Sequence, residues 1–246
     1  RTVCEFIAVS AMFALIALGF GCLPERVSDI YTVSAGTDEC ARVVVIDAGH
    51  GGVDGGTVAK DGTVEKGINL EIALKLETIF RMMGFDTVMT RREDISIHDD
   101  SAKTIRQKKI SDLHNRLKLI NETPDCLFIS IHQNSYPYPN NTGTQVFYSP
   151  NHPESQALAA AIQQSVIHLI QPQNTRKVKK SGTEIYLLYQ AKTPAVMVEC
   201  GFMSNAQETE KLRTEAYQNE LALSIFYGVL SYLNGIGTAD ATPAAQ

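Results

Sequence analysis

The stretch VVVIDAGHGGVDGG, from Val43 to Gly56, joins a continuous apolar run to a glycine-rich segment that contains two aspartates and a histidine. The apolar run from Val43 to Ile46 predicts a strand buried on both faces, as in a parallel sheet covered by helices. Glycines after a strand are typical of phosphate-binding loops, but the P-loop ending and the G-x-G-x-x-G spacing are absent. Two interpretations remain: a tight turn with incidental polar residues, and the first ligand of a metal site.

Apolar and amphipathic segments alternate along the rest of the chain. Apolar residues recur at helical spacing between Gly67 and Gly84, and the second glycine predicts the end of that helix. Leu113, Leu117 and Ile120 are expected on the inner face of a later helix. We predict strands at 43–46, 85–90, 126–134, 143–149 and 194–202, and helices at 67–84, 110–121, 154–170, 208–213 and 217–233. This order predicts an α/β fold, with a mostly parallel twisted sheet of about six strands and helices on both faces.

The N-terminal segment differs in composition from the rest of the chain. Residues 6–23 carry no charge, which predicts a signal peptide or an N-terminal membrane anchor within residues 1–23. Residues 24–41 predict a polar linker, 42–234 the folded domain and 235–246 a disordered tail. We therefore expect export across the cytoplasmic membrane, with the protein either secreted or anchored by this segment.

Charge and cysteine content exclude several classes of protein. The chain has 22 basic and 27 acidic side chains, and this net charge of -5 argues against nucleic acid as a partner, which requires clustered positive charge. The five cysteines form no C-x-x-C pair and therefore indicate neither a zinc ribbon nor a disulfide framework. Cys126 and Cys200 lie in apolar runs, and we expect both of them in the core.

Three predicted strands end in titratable residues. Asp47 and His50 follow the apolar run 43–46, His132 follows the apolar run 127–131, and Glu199 follows the apolar run 195–198. Because the carboxyl ends of parallel strands meet at one edge of a sheet, we expect these residues to form one site. A hydrolytic zinc site takes about three protein ligands from histidine and carboxylate side chains. The two histidines supply two ligands, and the third is expected from the carboxylates Asp47, Asp54, Glu65 and Glu199.

Two of these residues also have other interpretations. Glu65 precedes a predicted helix, where an acid is favourable without any metal. Glu199 is followed by Cys200, which suggests a thiol nucleophile. Successive side chains of a strand point to opposite faces, so only one of this pair can face the cleft.

Five motifs occur in order between residues 42 and 233, namely IDAGHGGVDGG, VEKGINL, TRRED, FISIHQN and PAVMVECGFMSN. With these motifs the chain resembles the zinc-dependent N-acetylmuramoyl-L-alanine amidases, which trim bacterial cell wall. The resemblance implies a sheet of the zinc exopeptidase or phosphorylase type, with residues 42–234 as the catalytic domain. It also implies peptidoglycan as substrate, one Zn²⁺ per chain bound by His50, Glu65 and His132, and Glu199 as the catalytic carboxylate.

Other polar residues near these motifs are expected to have supporting roles. Asp47 is expected to orient a ligand histidine through a hydrogen bond, or else to accept hydrogen bonds from backbone N–H groups of its loop. Arg91, in TRRED, is expected to brace the edge of the sheet. The glycines around His50 are expected to let zinc, water and glycopeptide approach the backbone. No substrate-binding residue is assigned.

The chain resembles most the single-domain amidases of spore-forming bacteria that act on cortex peptidoglycan in sporulation and germination. The segment between Asn134 and Gly143 is too short for the self-blocking helix of some relatives, so control is expected from expression or from a separate activator protein. Membrane contact is expected only through the N-terminal segment. Two alternatives remain: an aminopeptidase-like zinc hydrolase, for which a second set of metal ligands is missing, and a weak or degenerate amidase that binds peptidoglycan or a partner protein.

Overall fold

A computed structural model describes residues 42–138 and 140–235. The strands in these ranges are β1 (Val43–Ala48), β2 (Thr87–Met89), β3 (Cys126–Asn134), β4 (Gln145–Tyr148), β5 (Lys179–Lys180) and β6 (Ala195–Phe202). The helices are α1 (Glu65–Met82), α2 (Ile105–Glu122), α3 (Ser155–Leu169), α4 (Tyr186–Gln190), α5 (Ala206–Leu212) and α6 (Glu215–Leu233). The predictions made for residues 1–41 and 236–246 lie outside the described residues.

The strands form one sheet in the order β2-β1-β3-β6-β4-β5. Strands β2, β1, β3 and β6 run parallel to one another, whereas β4 is antiparallel to β6 and parallel to β5. The carboxyl ends of β1, β3 and β6 therefore lie side by side at one edge of the sheet. The predicted α/β fold with a mostly parallel sheet of about six strands is confirmed.

Helices cover both faces of the sheet, and each face has its own hydrophobic core. Val44 and Ile46 of β1 pack in the larger core with residues of α1, α3 and α6. Val45 points to the opposite face and packs in the smaller core with residues of α2 and α4. All three side chains are fully buried, which explains why this strand reads as a continuous apolar run.

The larger core contains a cluster of aromatic rings. Phe80 of α1 is fully buried, and its ring centroid lies 5.3 Å from that of Phe85 and 5.1 Å from that of Phe226 on α6. Both contacts have the edge-to-face geometry that aromatic pairs prefer. The cluster fixes α1 and α6 against each other on this face.

The middle part of helix α2 directs charged side chains at the sheet. The helix begins after Thr104, which forms a capping box with it. Ile120 is fully buried as predicted, but Leu113 is 37% exposed, so its predicted inward position is wrong. Arg116 and Asp112, one and two turns before Ile120, occupy the inner positions instead.

A buried ion pair joins α2 to the end of β1. Arg116 donates through Nη1 to Asp47 Oδ1, and through Nε to Asp112 Oδ2 at 2.7 Å. Asp47 also accepts hydrogen bonds from the hydroxyl groups of Thr90 and Ser130. Because these charges are shielded from water, each has to be compensated by partners inside the protein.

Two short elements were not predicted. Strand β5 has two residues at the edge of the sheet and α4 has five, so neither is long enough to show a periodic pattern.

Across residues 42–138 and 140–235, every helix is too short or too polar to cross a membrane.

Phe80→Ala is expected to lower the free energy of unfolding by about 3–5 kcal/mol, because the change leaves a cavity among the aromatic rings. Met82→Ala is the control on the same helix, since Met82 is 74% exposed, and it should change stability by less than about 0.5 kcal/mol. Denaturant unfolding followed by circular dichroism measures both variants. Equal losses in the two variants would contradict the packing described here.

The Asp47–Arg116 ion pair is expected to stabilise the fold at neutral pH and to lose this effect in acid. Burial raises the pKa of Asp47, but Arg116, with His132 and Ser130, outweighs burial and holds the pKa below its ordinary value. A carboxyl of this kind stabilises the fold above its unfolded pKa of about 3.9, and this stabilisation is lost as the pH falls through the lower folded pKa.

Denaturant unfolding of wild type and Asp47→Asn from neutral pH to about pH 3 tests this expectation. The difference in unfolding free energy between the two proteins should be largest near neutral pH and should narrow below about pH 4. Asp86→Asn makes the same chemical change at an exposed position, and should alter stability by less than about 0.5 kcal/mol. A wild-type advantage over Asp47→Asn that stays constant with pH would show that the ion pair does not contribute in this way.

Candidate metal centre

The register of β3 and β6 brings two titratable side chains together. His132 is paired directly with Glu199 across the two strands. Residues paired in this way point to the same face, so both side chains lie on the side of the sheet that α2 and α4 cover. Two residues before His132, Ser130 is paired with Asp47 of β1. The strand ends that the sequence singled out are therefore neighbours.

His50 lies after β1 in a segment that we call the ligand loop, residues 49–56. The φ of His50 is +62°, in the left-handed region that residues other than glycine rarely adopt. Its carbonyl oxygen accepts a hydrogen bond of 2.7 Å from Arg116 Nη2, and the carbonyl oxygen of Gly49 accepts one of 2.9 Å from Arg91 Nη2. Arg91 thus acts as a brace for the ligand loop, and two buried guanidinium groups hold its backbone.

Glu65, the first residue of α1, lies between two histidines. Its Oε1 is 3.2 Å from His50 Nε2 and 3.2 Å from His132 Nδ1. One ligand atom from each of the three residues lies within 4.8 Å of the others, and such a set can hold a metal ion. Two imidazoles and a carboxylate are a donor set that zinc uses in hydrolytic sites, so these residues fit zinc. No second cluster of this kind is present among residues 42–138 and 140–235.

Both carboxylate oxygens of Glu65 are fixed by hydrogen bonds from neighbouring groups. Oε2 accepts from the backbone N–H of Thr57 at 2.8 Å, and Oε1 accepts from the backbone N–H of Gln133 at 3.1 Å. Asn69, one turn along α1, donates to Oε1 and also to the carbonyl oxygen of Gly49. Burial raises the pKa of Glu65, but the two histidines outweigh it and hold the pKa below its ordinary value. The carboxylate is therefore ionised and able to bind a cation.

Asp54 is the carboxylate that orients a histidine. Its Oδ2 lies 3.0 Å from His50 Nδ1, which leaves Nε2 facing Glu65. The hydrogen bonds predicted for Asp47, to a histidine or to backbone N–H groups, are wrong, because hydroxyl and guanidinium donors occupy its oxygens. From the sequence, Asp54 was a candidate metal ligand only.

The protonation of His50 depends on these carboxylates. Burial lowers the pKa of His50, but Asp54 and Glu65 outweigh burial and raise the pKa to about 9. The ring is therefore protonated at neutral pH when no metal is bound. Since a histidine ligand has to be neutral, metal binding at this position displaces a proton.

Two glycines leave the space that the side chains of His50, Glu65 and His132 occupy. A Cβ atom on Gly49 would clash with the ring of His132. A Cβ atom on Gly56, which has a φ of +69°, would lie 2.6 Å from both Glu65 Oε2 and His50 Cδ2. At these two glycines, His50, Glu65 and His132 fill the space that was expected for zinc, water and glycopeptide.

Glu199 has a buried carboxyl oxygen that is left without a partner. Its Oε2 is buried and has no hydrogen-bond partner among the described residues. Burial raises the pKa of Glu199 to about 7, with a contribution from Glu65 and opposition from the two histidines. A buried carboxyl oxygen without a partner is costly to the fold, so stability does not explain its presence. A carboxyl with a near-neutral pKa is suited to taking and returning a proton.

Two further expectations near the site agree with the structure. Cys200 points away from Glu199 into the larger core, and Cys126 is also buried. Burial raises the pKa of the Cys200 thiol, which argues against a nucleophilic thiolate. Residues 135–138 and 140–144, between β3 and β4, form no helix, as the short segment predicted.

The sequence did not reveal the hydrogen-bond partners of His50, Glu65 and His132, the three residues that we call the donor group. Asn69 is four residues after Glu65 on a helix, so helical spacing could have placed it beside that carboxylate. Asp54 is four residues after His50, but in a loop this spacing carries no such information. The two backbone N–H donors from Thr57 and Gln133 leave no signal in the sequence at all.

Comparison with known proteins agrees with this geometry. The family model for N-acetylmuramoyl-L-alanine amidase (Amidase_3) matches residues 44–231. The germination-specific N-acetylmuramoyl-L-alanine amidase of Bacillus subtilis is 34% identical over 196 residues, which cover 80% of this chain and 81% of the relative. The N-acetylmuramoyl-L-alanine amidase AmiA of Escherichia coli is 27% identical, with 78% of this chain and 76% of the relative covered.

Solved structures show the same relationship. The CwlD amidase from Clostridioides difficile, in complex with the GerS lipoprotein, matches with a TM-score of 0.76 and 37% identity over 79% of this chain and 99% of that chain. An N-acetylmuramoyl-L-alanine amidase from Clostridium difficile 630 matches with a TM-score of 0.69 and 31% identity over 80% of this chain and 99% of that chain. The matched residues include the whole donor group and Glu199. This chain therefore belongs to the N-acetylmuramoyl-L-alanine amidase family.

Proposed function

We propose that this amidase is zinc-dependent and acts on the peptidoglycan of the spore cortex. The bond that it hydrolyses is the amide between N-acetylmuramic acid and the L-Ala of the stem peptide. The buried, unpaired Oε2 of Glu199 beside the donor group of His50, Glu65 and His132 supports the proposal most directly. A proton-transfer group and a metal-binding group side by side are the minimum for metal-assisted amide hydrolysis.

The donor group would hold one Zn²⁺ per chain through His50, Glu65 and His132. When bound, zinc polarises the scissile carbonyl group and lowers the pKa of water toward about 7. Glu65 contributes one negative charge. Three N–H groups, from Thr57, Asn69 and Gln133, donate to its carboxylate and keep it in a single position. Asp54 keeps the imidazole of His50 turned so that Nε2 faces Glu65.

Glu199 is the proposed catalytic residue. Its carboxylate takes a proton from the attacking water and returns it to the departing amine of L-Ala, which is general base and then general acid catalysis. A pKa near 7 suits both steps, because the group gains and loses a proton at neutral pH with little cost. The strand pairing of Glu199 with His132 fixes it beside the donor group.

The spore role and the partner are supported by named relatives. A relative at 34% identity is a germination-specific amidase, and a similar solved structure is a CwlD amidase bound to a lipoprotein. We therefore include a separate activator protein in the proposal. Residues 1–23, as a signal peptide or membrane anchor, would deliver the chain to the cell wall or the spore intermembrane space.

Mass analysis of peptidoglycan fragments, after incubation with the purified chain and added zinc, tests the reaction. Cleavage should release stem peptides that begin with L-Ala and leave glycan strands with intact N-acetylmuramic acid. Cortex and vegetative wall, compared in parallel, test the spore role, and turnover by the chain alone contradicts the need for an activator. Zinc-loaded protein that binds peptidoglycan without releasing peptides, with or without spore extract, contradicts the proposed catalysis and favours a binding protein.

Glu199→Gln is expected to keep its zinc and to lose about 10²–10⁴-fold in kcat, because the amide cannot carry the proton. Glu210→Gln is the matched control, since Glu210 is exposed on α5. Peptide release from purified peptidoglycan and the zinc content of each protein are the measurements. Normal cleavage by the Glu199→Gln protein would exclude the proposed role.

His132→Ala is expected to lose its zinc, from about one ion per chain to a trace, because one of three protein ligands is removed. His168→Ala changes an exposed histidine of α3 and should keep the metal. Elemental analysis after dialysis measures the metal content, and far-ultraviolet circular dichroism verifies that each variant is folded. Full zinc content in a folded His132→Ala protein would show that the ligand set is wrong.

A further inference from the structure

One face of α2 is directed at the ligand loop. Lys109, Asp112 and Arg116 are spaced by three and four residues, so they lie along one side of the helix. Asp112 and Arg116 are buried, whereas Lys109 is about half exposed. None of these three residues belongs to the donor group, yet two of them contact the loop that carries His50.

Arg116 fixes the position of α2 relative to the ligand loop. Its Nη2 donates to the carbonyl oxygen of His50 at 2.7 Å, and its Nη1 donates to that of Ala48 at 2.9 Å. Its Nε is bound to Asp112 on the same helix. All nitrogens of this guanidinium are engaged, so α2 cannot shift against the loop without loss of buried hydrogen bonds.

Lys109 reaches the ring of His50 through Asp54. The Nζ of Lys109 lies 2.7 Å from Asp54 Oδ1, and Asp54 Oδ2 lies 3.0 Å from His50 Nδ1. The backbone N–H of Gly56 also donates to Oδ1, at 3.3 Å. One oxygen of Asp54 is thus held by α2 and by the loop, while the other faces the imidazole. This arrangement restricts rotation of the carboxylate and, with it, rotation of the ring.

We propose that Lys109 is a positioning residue of the metal centre, which orients His50 through Asp54 and thereby strengthens zinc binding. The inference rests on the proposed zinc site. An exposed ion pair on its own contributes little to fold stability, because water and salt screen it. A purely structural role of Lys109 would therefore leave zinc affinity unchanged, whereas a positioning role changes zinc affinity without a change in stability.

Zinc affinity of the metal-free full chain, measured by competition with a chelator of known affinity, tests the inference. Lys109→Met removes the charge and Lys109→Arg restores it. Lys118→Met is the matched control, because Lys118 is exposed on the same helix and, within the described residues, makes no ion pair with the ligand loop. The melting temperature of each metal-free protein is measured in parallel.

Lys109→Met is expected to weaken zinc binding by about 3–10-fold, less than the 10–100-fold typical of residues that contact a ligand directly. Lys109→Arg should bind zinc like wild type, and all variants should melt at the wild-type temperature.

Equal zinc affinity in Lys109→Met and Lys118→Met overturns the inference, and so does a loss of affinity that Lys109→Arg fails to restore. Weaker zinc binding that accompanies a lower melting temperature of metal-free Lys109→Met also overturns it. A wild-type chain that binds no zinc contradicts the proposed function as well, so the two failures are distinguishable.

Discussion

The buried ion pair between Asp47 and Arg116 is the interaction on which the candidate site depends. It joins the end of the interior strand β1 to α2 where both side chains are almost completely shielded from water. Loss of either partner would leave an uncompensated buried charge, at a cost of about 3–5 kcal/mol. The same guanidinium also binds the carbonyl oxygen of His50, so the ion pair determines where the ligand loop leaves the sheet. Fold stability and metal-site geometry are therefore properties of one group of residues.

The register between β3 and β6 separates the chemistry of the site from the core. Because side chains alternate along a strand, Glu199 faces His132 while Cys200 is buried on the opposite face. A shift of one residue in this pairing would exchange the two, placing a carboxyl in the larger core and a thiol beside the donor group. Burial of the Glu199 carboxyl in that apolar core without a partner would be costly, which opposes such a shift. The register thus places Glu199 beside His132 and Cys200 in the core.

The fold was largely predictable because buried strands and amphipathic helices leave apolar patterns in the sequence. The residue patterns alone narrowed the third metal ligand to four carboxylates, and the family resemblance then selected Glu65. The residue patterns could not select one of the four carboxylates, since no local pattern shows that the start of α1 lies against the ligand loop. The inner face of α2 was predicted from Leu113, Leu117 and Ile120. Arg116 nevertheless lies on the inner side of the helix, because it binds Asp47 and the carbonyl oxygen of His50, which are distant in the sequence. Asp54 was recognisable as a hydrogen-bond partner of His50 only in three dimensions.

The three donor residues lie at positions 50, 65 and 132, on a loop, a helix and a strand that meet only in the folded chain. An unfolded chain does not present this group as a preformed site. A metal ion that binds the assembled group adds its binding free energy to folding, about 2.7 kcal/mol when its free concentration is one hundred times its Kd. The cellular supply of the metal would then govern how much of the protein survives unfolding and proteolysis, in addition to how much of it is loaded.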